Sequence, residues 1–427
     1  MNNSLSQVHE QYEALPYPSR DPTEERQRLV TTWLDSLAMI NHYCFAGEQD
    51  FKSGFRVLVA GGGTGDATIY LAEQLRGKSA SIVHLDLSEA SISIARRRAE
   101  IRGLDNIQWV QESLLDLPQL GLGQFDYINC SGVLHHLPDP DAGFRSLTQV
   151  LAADGAIGMM VYATYGRTGV YQMQELLRQI NADTDSMAGR LENARQLLAT
   201  LPPTNWFARG EQLVFDHRHG DAGIYDLLLH AQDRSYTVEQ LYAWLHDQHG
   251  FHIQFSDVGR GRSPYLPQLI LAPRQPPFLA KVRQMPLRRQ HAIAELIGGT
   301  LVMHVFFLTR GMRVAPYGDP ACIPFFCHEP ITGPELSAII HRNTANPFVM
   351  QHSHTGITAP VDTGTFGKFI LKYIDGRRSF EEVFSLVRAE EKFRRSPPGN
   401  ETLFGDFAAL YEFLNAIERL LLTRRRA

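Results

Sequence analysis

The stretch VLVAGGGTGDATIYLAEQL, residues 57–75, decides the fold. An apolar run of strand length ends in a cluster of glycines, and a helical pattern of apolar residues begins directly after it. Glycine has no Cβ atom, so a turn built from it lets a ligand come close to the backbone. The stretch therefore predicts a strand, a turn and a helix. The turn is either a ligand-binding site or a tight turn between a strand and a helix that binds no ligand.

Strand and helix patterns alternate after this turn. Seven segments have the length and apolar content of strands: RVLVAG, ASIVHLDLS, IQWVQESL, FDYINCSGVL, GAIGMMVYA, FHIQFSDVG and LPQLILAP. Helical patterns lie between several of them, as expected for crossovers between parallel strands. The alternation predicts an α/β fold with a doubly wound, seven-stranded and mostly parallel sheet.

The domain organisation follows from where this alternation starts, pauses and stops. An N-terminal helical lid is predicted over 1–50, with a helix over 24–46. The sheet domain is predicted over 51–273, interrupted by a helical insertion at 164–235. The segment PRQPP then marks a boundary, and a smaller accessory domain is predicted over 278–427. Within that domain, TLVMHVFFLTR is compatible with either a helix or a strand.

Composition narrows the classes of function. The net charge of −5 lacks the basic footprint of a nucleic-acid-binding protein. Four cysteines in 427 residues do not form a disulfide framework, and this indicates a reducing cytoplasm. No apolar run approaches the ~18 residues of a membrane span, and the N-terminus lacks a signal-peptide core. We therefore predict a cytoplasmic protein without nucleic-acid or membrane partners; the sequence does not indicate its oligomeric state.

The spacing of the glycines separates the possible ligands only in part. A dinucleotide turn reads G-x-G-x-x-G and would place glycine where Asp66 stands. A phosphate-binding Walker A loop needs a lysine that is absent here. The acidic residue that ends the second strand, Asp86, suits the ribose diol of either a dinucleotide or a nucleoside.

Four segments in order carry a family resemblance: VLVAGGGTGDAT, VHLDLSEASISIARRRAE, WVQESLLDLP and FDYINCSGVLHHLPDPDAGFRSLTQVLAADGAIGMMVYA. Together they resemble the class I S-adenosylmethionine (SAM)-dependent methyltransferases over about residues 51–273. The resemblance implies an enzyme that uses SAM as its cofactor and transfers a methyl group. It disfavours a nicotinamide oxidoreductase.

The resemblance also implies cofactor-binding roles at the ends of four strands. These are Gly61, Gly63 and Gly65 along the methionine half of SAM, Asp86 on the ribose, Leu87 on the adenine face, Ser113 and Leu114 at the adenine edge, and Asn129, Cys130 and Ser131 beneath the methyl group. Two positions depart from the family pattern. Val59 stands where the family has an acid that helps hold the methionine ammonium, and Ser113 stands where it often has aspartate.

Candidate catalytic residues are less sharply indicated, because methyl transfer from a sulfonium depends largely on positioning. His135 and His136 follow the fourth strand and are candidate bases or structural residues. Tyr17, with Tyr12, would line a lid over the cofactor. Asp216 and His219 belong to a polar run in the insertion that would suit a polar or cationic acceptor. Its other members are His217, Asp221, Asp226, His230, Asp233 and Arg234.

The acceptor stays open between a protein or peptide side chain and a small metabolite, and the rival is a SAM- or peptide-binding module without turnover. In the C-terminal part, FGKFILKYIDGRRSFEEVFSLVRAE resembles PqqD-type winged helices, which bind leader peptides. Cysteines and histidines also occur there, at Cys322, Cys327, His328, His352 and His354. Because their spacing lacks a C-x₂-C pair, no metal site is predicted.

Overall fold

The computed structural model describes residues 3–184, 186–328, 331–343, 347–351 and 357–424. Its strands are β1 (Ser53–Ala60), β2 (Ser79–Asp86), β3 (Ile107–Gln111), β4 (Phe125–Ser131), β5 (Leu151–Tyr162), β6 (His252–Ser256), β7 (Met303–Thr309), β8 (Ile323–Phe326), β9 (Phe348–Gln351), β10 (Thr358–Val361) and β11 (Leu420–Thr423).

The α-helices are α1 (Asn3–Ala14), α2 (Leu37–Cys44), α3 (Asp66–Gln74), α4 (Glu89–Arg102), α5 (Pro140–Val150), α6 (Val170–Ile180), α7 (Met187–Thr200), α8 (Trp206–Gly210), α9 (Gly220–Ile224), α10 (Val238–Leu241), α11 (Pro267–Ile270), α12 (Phe278–Arg283), α13 (Leu287–Gly298), α14 (Gly333–Arg342), α15 (Gly367–Tyr373), α16 (Phe380–Ala389) and α17 (Asn400–Ala416). Among these helices, none is long and apolar enough to cross a membrane.

Strands β1 to β7 form one sheet in the order β3-β2-β1-β4-β5-β7-β6. The pairs β1–β2, β2–β3, β1–β4 and β4–β5 are parallel, whereas β7 runs antiparallel to β5. The α/β fold with a seven-stranded, mostly parallel sheet is therefore confirmed. The strand order reverses between β1 and β4, and ligands of such sheets bind where that reversal meets the carboxyl ends of the strands.

The predicted seventh strand is wrong. LPQLILAP contains the short helix α11, and the last strand of the sheet is β7, from the ambiguous segment TLVMHVFFLTR. Pro267 begins α11, where its fixed φ and missing N–H suit the first turn of a helix. β7 is buried along nearly its whole length, so its apolar run has no alternation to reveal a strand. The sheet consequently extends past the predicted boundary at residue 273.

The predicted helix over 24–46 is also wrong. Only α2 is an α-helix within that range, and 3₁₀ turns occupy Pro22–Arg26 and Trp33–Asp35. The residues Val30, Thr31 and Thr32 lie between the two turns, and β-branched side chains lose rotamer freedom in a helix. The pattern of apolar residues suggested a continuous helix, but the local propensity opposes one.

The first of two compact units comprises 1–35, 51–249 and 299–310. It contains the insertion, which leaves the sheet after β5 and returns to it, because Ala163 pairs with Tyr236 in an isolated parallel bridge. The two predicted helices of the insertion are present as α6 and α7. The insertion has its own apolar core, which includes Val170, Met173, Leu177, Leu191, Phe207, Leu227 and Leu228.

The second unit comprises 36–50, 250–298 and 311–427. Its core is rich in phenylalanine and includes Phe380, Phe384, Phe404 and Phe407. Two antiparallel strand pairs, β8–β11 and β9–β10, accompany helices α14 to α17. The winged-helix resemblance of this part stays a prediction.

The cysteines described in the second unit are free thiols. Burial raises the pKa of Cys327 to about 12. His352 and His354 lie outside the described residues.

A buried ion-pair network ties the glycine turn of the first unit to α4. Arg98 of α4 has 1% of its side chain exposed, and its Nη2 lies 2.7 Å from Oε1 of Glu25. Its Nη1 donates to Oδ1 of Asp66 and to the backbone oxygen of Thr64, both at 2.7 Å. Arg20 binds the same Asp66 through two of its nitrogens. One guanidinium thus fixes the end of the turn, the start of α3 and a 3₁₀ turn of the N-terminal segment.

We expect Arg98→Ala to lower the free energy of unfolding of the first unit by about 3–5 kcal/mol, because it leaves buried carboxylates without their partner. Arg97→Ala is the matched control. Arg97 is the preceding residue, and it pairs with Glu100 where both side chains are more than half exposed. The control should cost about 1 kcal/mol or less. Equal losses in urea denaturation would show that the buried network does not stabilise the turn.

Candidate functional site

Neighbouring side chains explain why the turn after β1 is built from glycine. Gly61, Gly63 and Gly65 all have positive φ, at 72°, 52° and 99°. A Cβ atom on Gly61 would lie 2.3 Å from Cγ2 of Val133, and one on Gly63 would lie 3.1 Å from the backbone oxygen of Tyr17. Packing alone therefore accounts for these glycines. A ligand at the turn has to be argued from other groups.

Asp86, at the end of β2, supplies that argument. Its Oδ2 accepts a hydrogen bond of 2.7 Å from the backbone N–H of Gly63, and its Oδ1 accepts one of 2.9 Å from that of Ser88. Burial raises the pKa of Asp86, and the backbone N–H donors oppose that shift. A carboxylate has about four acceptor positions. The backbone N–H of Leu87 is a third donor near this carboxylate, so Asp86 keeps an acceptor position for a hydroxyl group of a ligand.

The other predicted cofactor residues differ in the burial and the hydrogen bonds of their side chains. The hydroxyl oxygen of Ser113 accepts from the backbone N–H of Leu115, and Leu114 is buried. Leu87 is half-buried, Cys130 is buried and Ser131 is exposed at the end of β4. The amide nitrogen of Asn129 donates to Oδ1 of Asp35 at 2.8 Å. The cofactor roles of these residues stay predictions.

Val59 lies inside the sheet, level with His84 on β2 and Asn129 on β4. It is 1% exposed, and burial lowers the pKa of His84 to about 3. The carboxylate of Asp35 lies behind Asn129, and burial raises its pKa to about 6. The buried acid at this part of the sheet therefore comes from a 3₁₀ turn of the N-terminal segment and not from β1.

The N-terminal segment runs along the glycine turn and the start of α4. The carboxylate of Glu13 accepts hydrogen bonds from the first two backbone N–H groups of α4, at 2.6 and 3.3 Å, an arrangement that the helix dipole favours. The Ser88 hydroxyl donates to the backbone oxygen of Tyr12, and the Thr64 hydroxyl donates to that of Pro18. These bonds hold Tyr12 and Tyr17 at the carboxyl edge of the sheet.

Three phenols and two carboxylates meet at this edge, and we call them the phenol–carboxylate cluster. Tyr12 donates to Oδ1 of Asp226 at 2.9 Å, and Tyr162 donates to its Oδ2 at 3.3 Å. Tyr17 donates to Oδ1 of Asp216 at 2.5 Å. The N-terminal segment, the end of β5 and the insertion therefore all contribute to one site.

Burial sets the protonation states of this cluster. It raises the pKa of Tyr12 well above the usual value, and the charge of Asp226 adds to the shift. Burial and the charge of Asp216 raise the pKa of Tyr17 in the same way. Burial also raises the pKa of Asp226, which Tyr12 opposes by its hydrogen bond. The phenols accordingly stay protonated and donate to Asp216 and Asp226.

The two candidate bases after β4 adjoin the cluster but differ in their surroundings. His135 is fully buried, and its ring centroid lies 3.9 Å from that of Tyr162. Neither of its ring nitrogens has a hydrogen-bond partner among the described residues, and burial lowers its pKa well below the usual value. Nδ1 of His136 lies 2.9 Å from the backbone oxygen of Gln232. Because a carbonyl only accepts, this Nδ1 carries a proton.

Ligand atoms of His136, Asp226 and His230 lie within 4.8 Å of one another, a spacing that a metal ion could bridge. However, Nδ1 of His230 accepts from the backbone N–H of Gln232, so the proton of this imidazole is on Nε2. Burial also lowers the pKa of His230 far below its usual value, which keeps the ring neutral. Its Nε2 lies 3.3 Å from the hydroxyl of Tyr12. We therefore assign this group to a hydrogen-bond chain from His230 through Tyr12 to Asp226.

The remaining polar residues of the insertion lie apart from the cluster. His219 is exposed, and its backbone N–H donates to the backbone oxygen of Asp216 at 2.9 Å, but no hydrogen bond of its side chain is found among the described residues. Asp221 pairs with Arg195 at the surface, and His217 lies 3.0 Å from Glu211. Asp233 pairs with Arg167. Tyr162 was missed by the sequence prediction, although its place at the end of β5 could have indicated it.

A polar cavity of about 640 Å³ lies next to His230. Its lining includes Gln174, Gln232, Asp233 and Arg234. Because His230 both lines this cavity and contacts Tyr12, the cavity adjoins the phenol–carboxylate cluster.

Comparisons with known proteins match part of this chain to a family of domains. Residues 58–157 match a family model described as a methyltransferase domain. An uncharacterized protein of a Synechococcus strain is 33% identical over 265 residues, which cover 61% of this chain and 62% of that protein. The ubiquinone biosynthesis O-methyltransferase of Acinetobacter baylyi is 32% identical over 115 residues, which cover 27% of this chain and 45% of that enzyme. The chain thus spans less than two thirds of the length of either relative.

Among solved structures, PKMT2 from Rickettsia typhi in complex with AdoHcy aligns over 92% of this chain and 76% of that chain, with a TM-score of 0.61 and 14% identity. At that identity the likeness concerns the fold. The matched domain, the strand order and this likeness agree with the motifs of the sequence. The chain therefore contains a methyltransferase domain with the class I SAM-dependent methyltransferase fold, in which SAM is the cofactor.

Proposed function

We propose that this protein transfers the methyl group of SAM to an acceptor bound at the phenol–carboxylate cluster. The observation that carries the proposal is the carboxylate of Asp86. It is fixed by backbone N–H groups, yet it keeps an acceptor position for a ribose hydroxyl. A nucleoside cofactor held there would have its reactive end near the carboxyl ends of β1 and β4.

The contacts between the two sites support an acceptor position beside the cofactor. The backbone oxygen of Tyr17 lies next to Gly63, and the hydroxyl of Tyr17 donates to Asp216. Tyr12 donates a hydrogen bond to Asp226. Burial and the charge of Asp226 raise the pKa of Tyr12 most, and the charge of Asp86 raises it further. The insertion over 164–235 then acts as an acceptor cap, and the cavity next to His230 accommodates the rest of the acceptor.

The favoured acceptor is a side chain of a protein or peptide, because the second unit offers a separate folded part for binding a large partner. A small metabolite is the second candidate, supported by the similarity to the ubiquinone biosynthesis enzyme over part of the chain. The net charge of −5 argues against a nucleic-acid acceptor. We place the reaction in the cytoplasm, where free thiols persist.

Incubation of the protein with cell extract and methyl-labelled SAM tests the proposal. Turnover should release AdoHcy and label an acceptor that mass spectrometry can identify. SAM binding without AdoHcy release in any extract would instead indicate a binding module without turnover.

We expect Asp86→Ala to weaken SAM binding about tenfold to a hundredfold, because charge-assisted hydrogen bonds contribute roughly 1.5–3 kcal/mol. Calorimetry on the folded variant measures the change. Glu112→Ala is the control, since Glu112 is an exposed carboxylate just beyond the end of β3. Unchanged affinity in Asp86→Ala would mean that Asp86 does not hold the ribose.

We expect Gly63→Val to abolish SAM binding, because a branched side chain would enter the space between the turn and Tyr17. Positive φ also strains valine, so the control must share that strain. Gly54→Val does, since Gly54 has a φ of 71° and a Cβ atom added to it would meet no other atom within 4 Å. If both folded variants bind SAM equally well in calorimetry, the turn does not contact the cofactor.

A further inference from the structure

No guanidinium or ammonium group among the described residues directly contacts the two carboxylates of the phenol–carboxylate cluster. The described partners of Asp216 and Asp226 within hydrogen-bonding distance are neutral: the phenols of Tyr17, Tyr12 and Tyr162. Asp226 is buried and Asp216 is half-buried, and buried carboxylates are normally paired with cations. These two carboxylates also repel each other, since the charge of Asp216 adds to the raised pKa of Asp226.

The nearby guanidinium does not supply the missing charge by direct contact. Arg167 lies over the ring of Tyr162, at 3.6 Å from its centroid, and pairs with Asp233 at 3.3 Å. It thus neutralises a third carboxylate. Against the effect of burial, His136 and Arg167 lower the pKa of Asp226 through space, but neither forms an ion pair with a carboxylate of the cluster within the described residues.

An independent observation also points to a ligand. His135 has no exposed surface, and both of its ring nitrogens lack a hydrogen-bond partner in the described part of the chain. Its ring contacts those of Tyr162 and His136, at centroid distances of 3.9 and 4.1 Å. An unsatisfied buried imidazole costs free energy. A ligand that donates a hydrogen bond at this position would remove part of that cost.

We propose that the phenol–carboxylate cluster binds the ammonium group of a primary-amine acceptor, so that this protein is an N-methyltransferase. The inference rests on the proposed function and names its acceptor class. An ammonium group supplies the missing positive charge and three hydrogen-bond donors. Phenol rings also attract cations through their faces. A carboxylate or phosphate acceptor would meet repulsion, and an uncharged hydroxyl would leave the two aspartates unpaired.

The structure also indicates where the proton of the ammonium goes. Nδ1 of His136 donates to the carbonyl of Gln232, so in the neutral imidazole Nε2 is the lone pair that accepts. The nearby carboxylate of Asp226 stabilises the imidazolium that forms. The neutral amine then forms the N–C bond with the methyl group as the C–S bond breaks and its electron pair stays on sulfur. His136 finally releases the proton to water.

Amine blocking tests the acceptor class directly. One half of a cell extract is treated with an acetylating reagent that converts primary amines to amides, and both halves are incubated with the protein and methyl-labelled SAM. We expect labelling in the untreated half, and a loss of more than tenfold in the acetylated half. The label should resist mild alkali, which releases methyl esters as methanol.

The variants Asp226→Asn and Asp216→Asn test the residues. Both keep the side-chain shape and remove the charge, so we expect transfer to amines to fall at least tenfold while SAM affinity, measured by calorimetry, changes less than threefold. Asp221→Asn is the matched control, since Asp221 is an exposed carboxylate of the same insertion. It should match the parent protein in both measurements.

The outcomes separate this inference from the proposed function. No AdoHcy release with any extract would contradict the proposed function itself. Equal labelling of the acetylated extract, alkali-labile label, or full transfer by both folded asparagine variants would overturn the amine assignment and leave methyl transfer intact.

Discussion

The guanidinium of Arg98 is the group on which the candidate site depends. It is buried, and it binds Glu25, Asp66 and the backbone of Thr64 at once. Removal of any one partner would leave a buried charge unpaired. The contacts of Arg98 therefore stabilise one another. Because Thr64 and Asp66 flank the last glycine of the turn, the same contacts fix the backbone whose N–H group binds Asp86. A side chain of α4 thus determines the geometry of the turn.

The sequence predicted the parts of the fold that depend on local periodicity. The alternation of apolar runs and amphipathic segments predicted β1 to β5, α3 and α4. The glycine turn was predicted between β1 and α3. β7 could not, because it is buried along nearly its full length and its pattern suits a helix equally well. The segment LPQLILAP had the composition of a strand, yet the proline at its second position begins a helix. Tertiary position decided both cases.

The candidate site was predictable to a similar degree. Strand ends indicated Asp86, His135 and His136, since carboxyl ends of parallel strands meet at one edge. The pairing of Tyr12 with Asp226 joins residues 214 positions apart, and no spacing in the sequence reveals such a contact. Likewise, His219 and Asp216 looked equivalent in the sequence, although only Asp216 faces a tyrosine. Side-chain direction within an irregular loop depends on packing and not on composition.

The placement of β7 has a consequence for how the chain folds during synthesis. The first unit needs residues 299–310, whereas its other parts end at residue 249. At about 5–20 residues per second, a ribosome adds the intervening stretch in several seconds. During that time β5 has an unpaired edge with exposed N–H and C=O groups, and such edges recruit other chains. The nascent protein therefore passes through a stage in which it is prone to aggregation, which ends only when β7 emerges and pairs with β5.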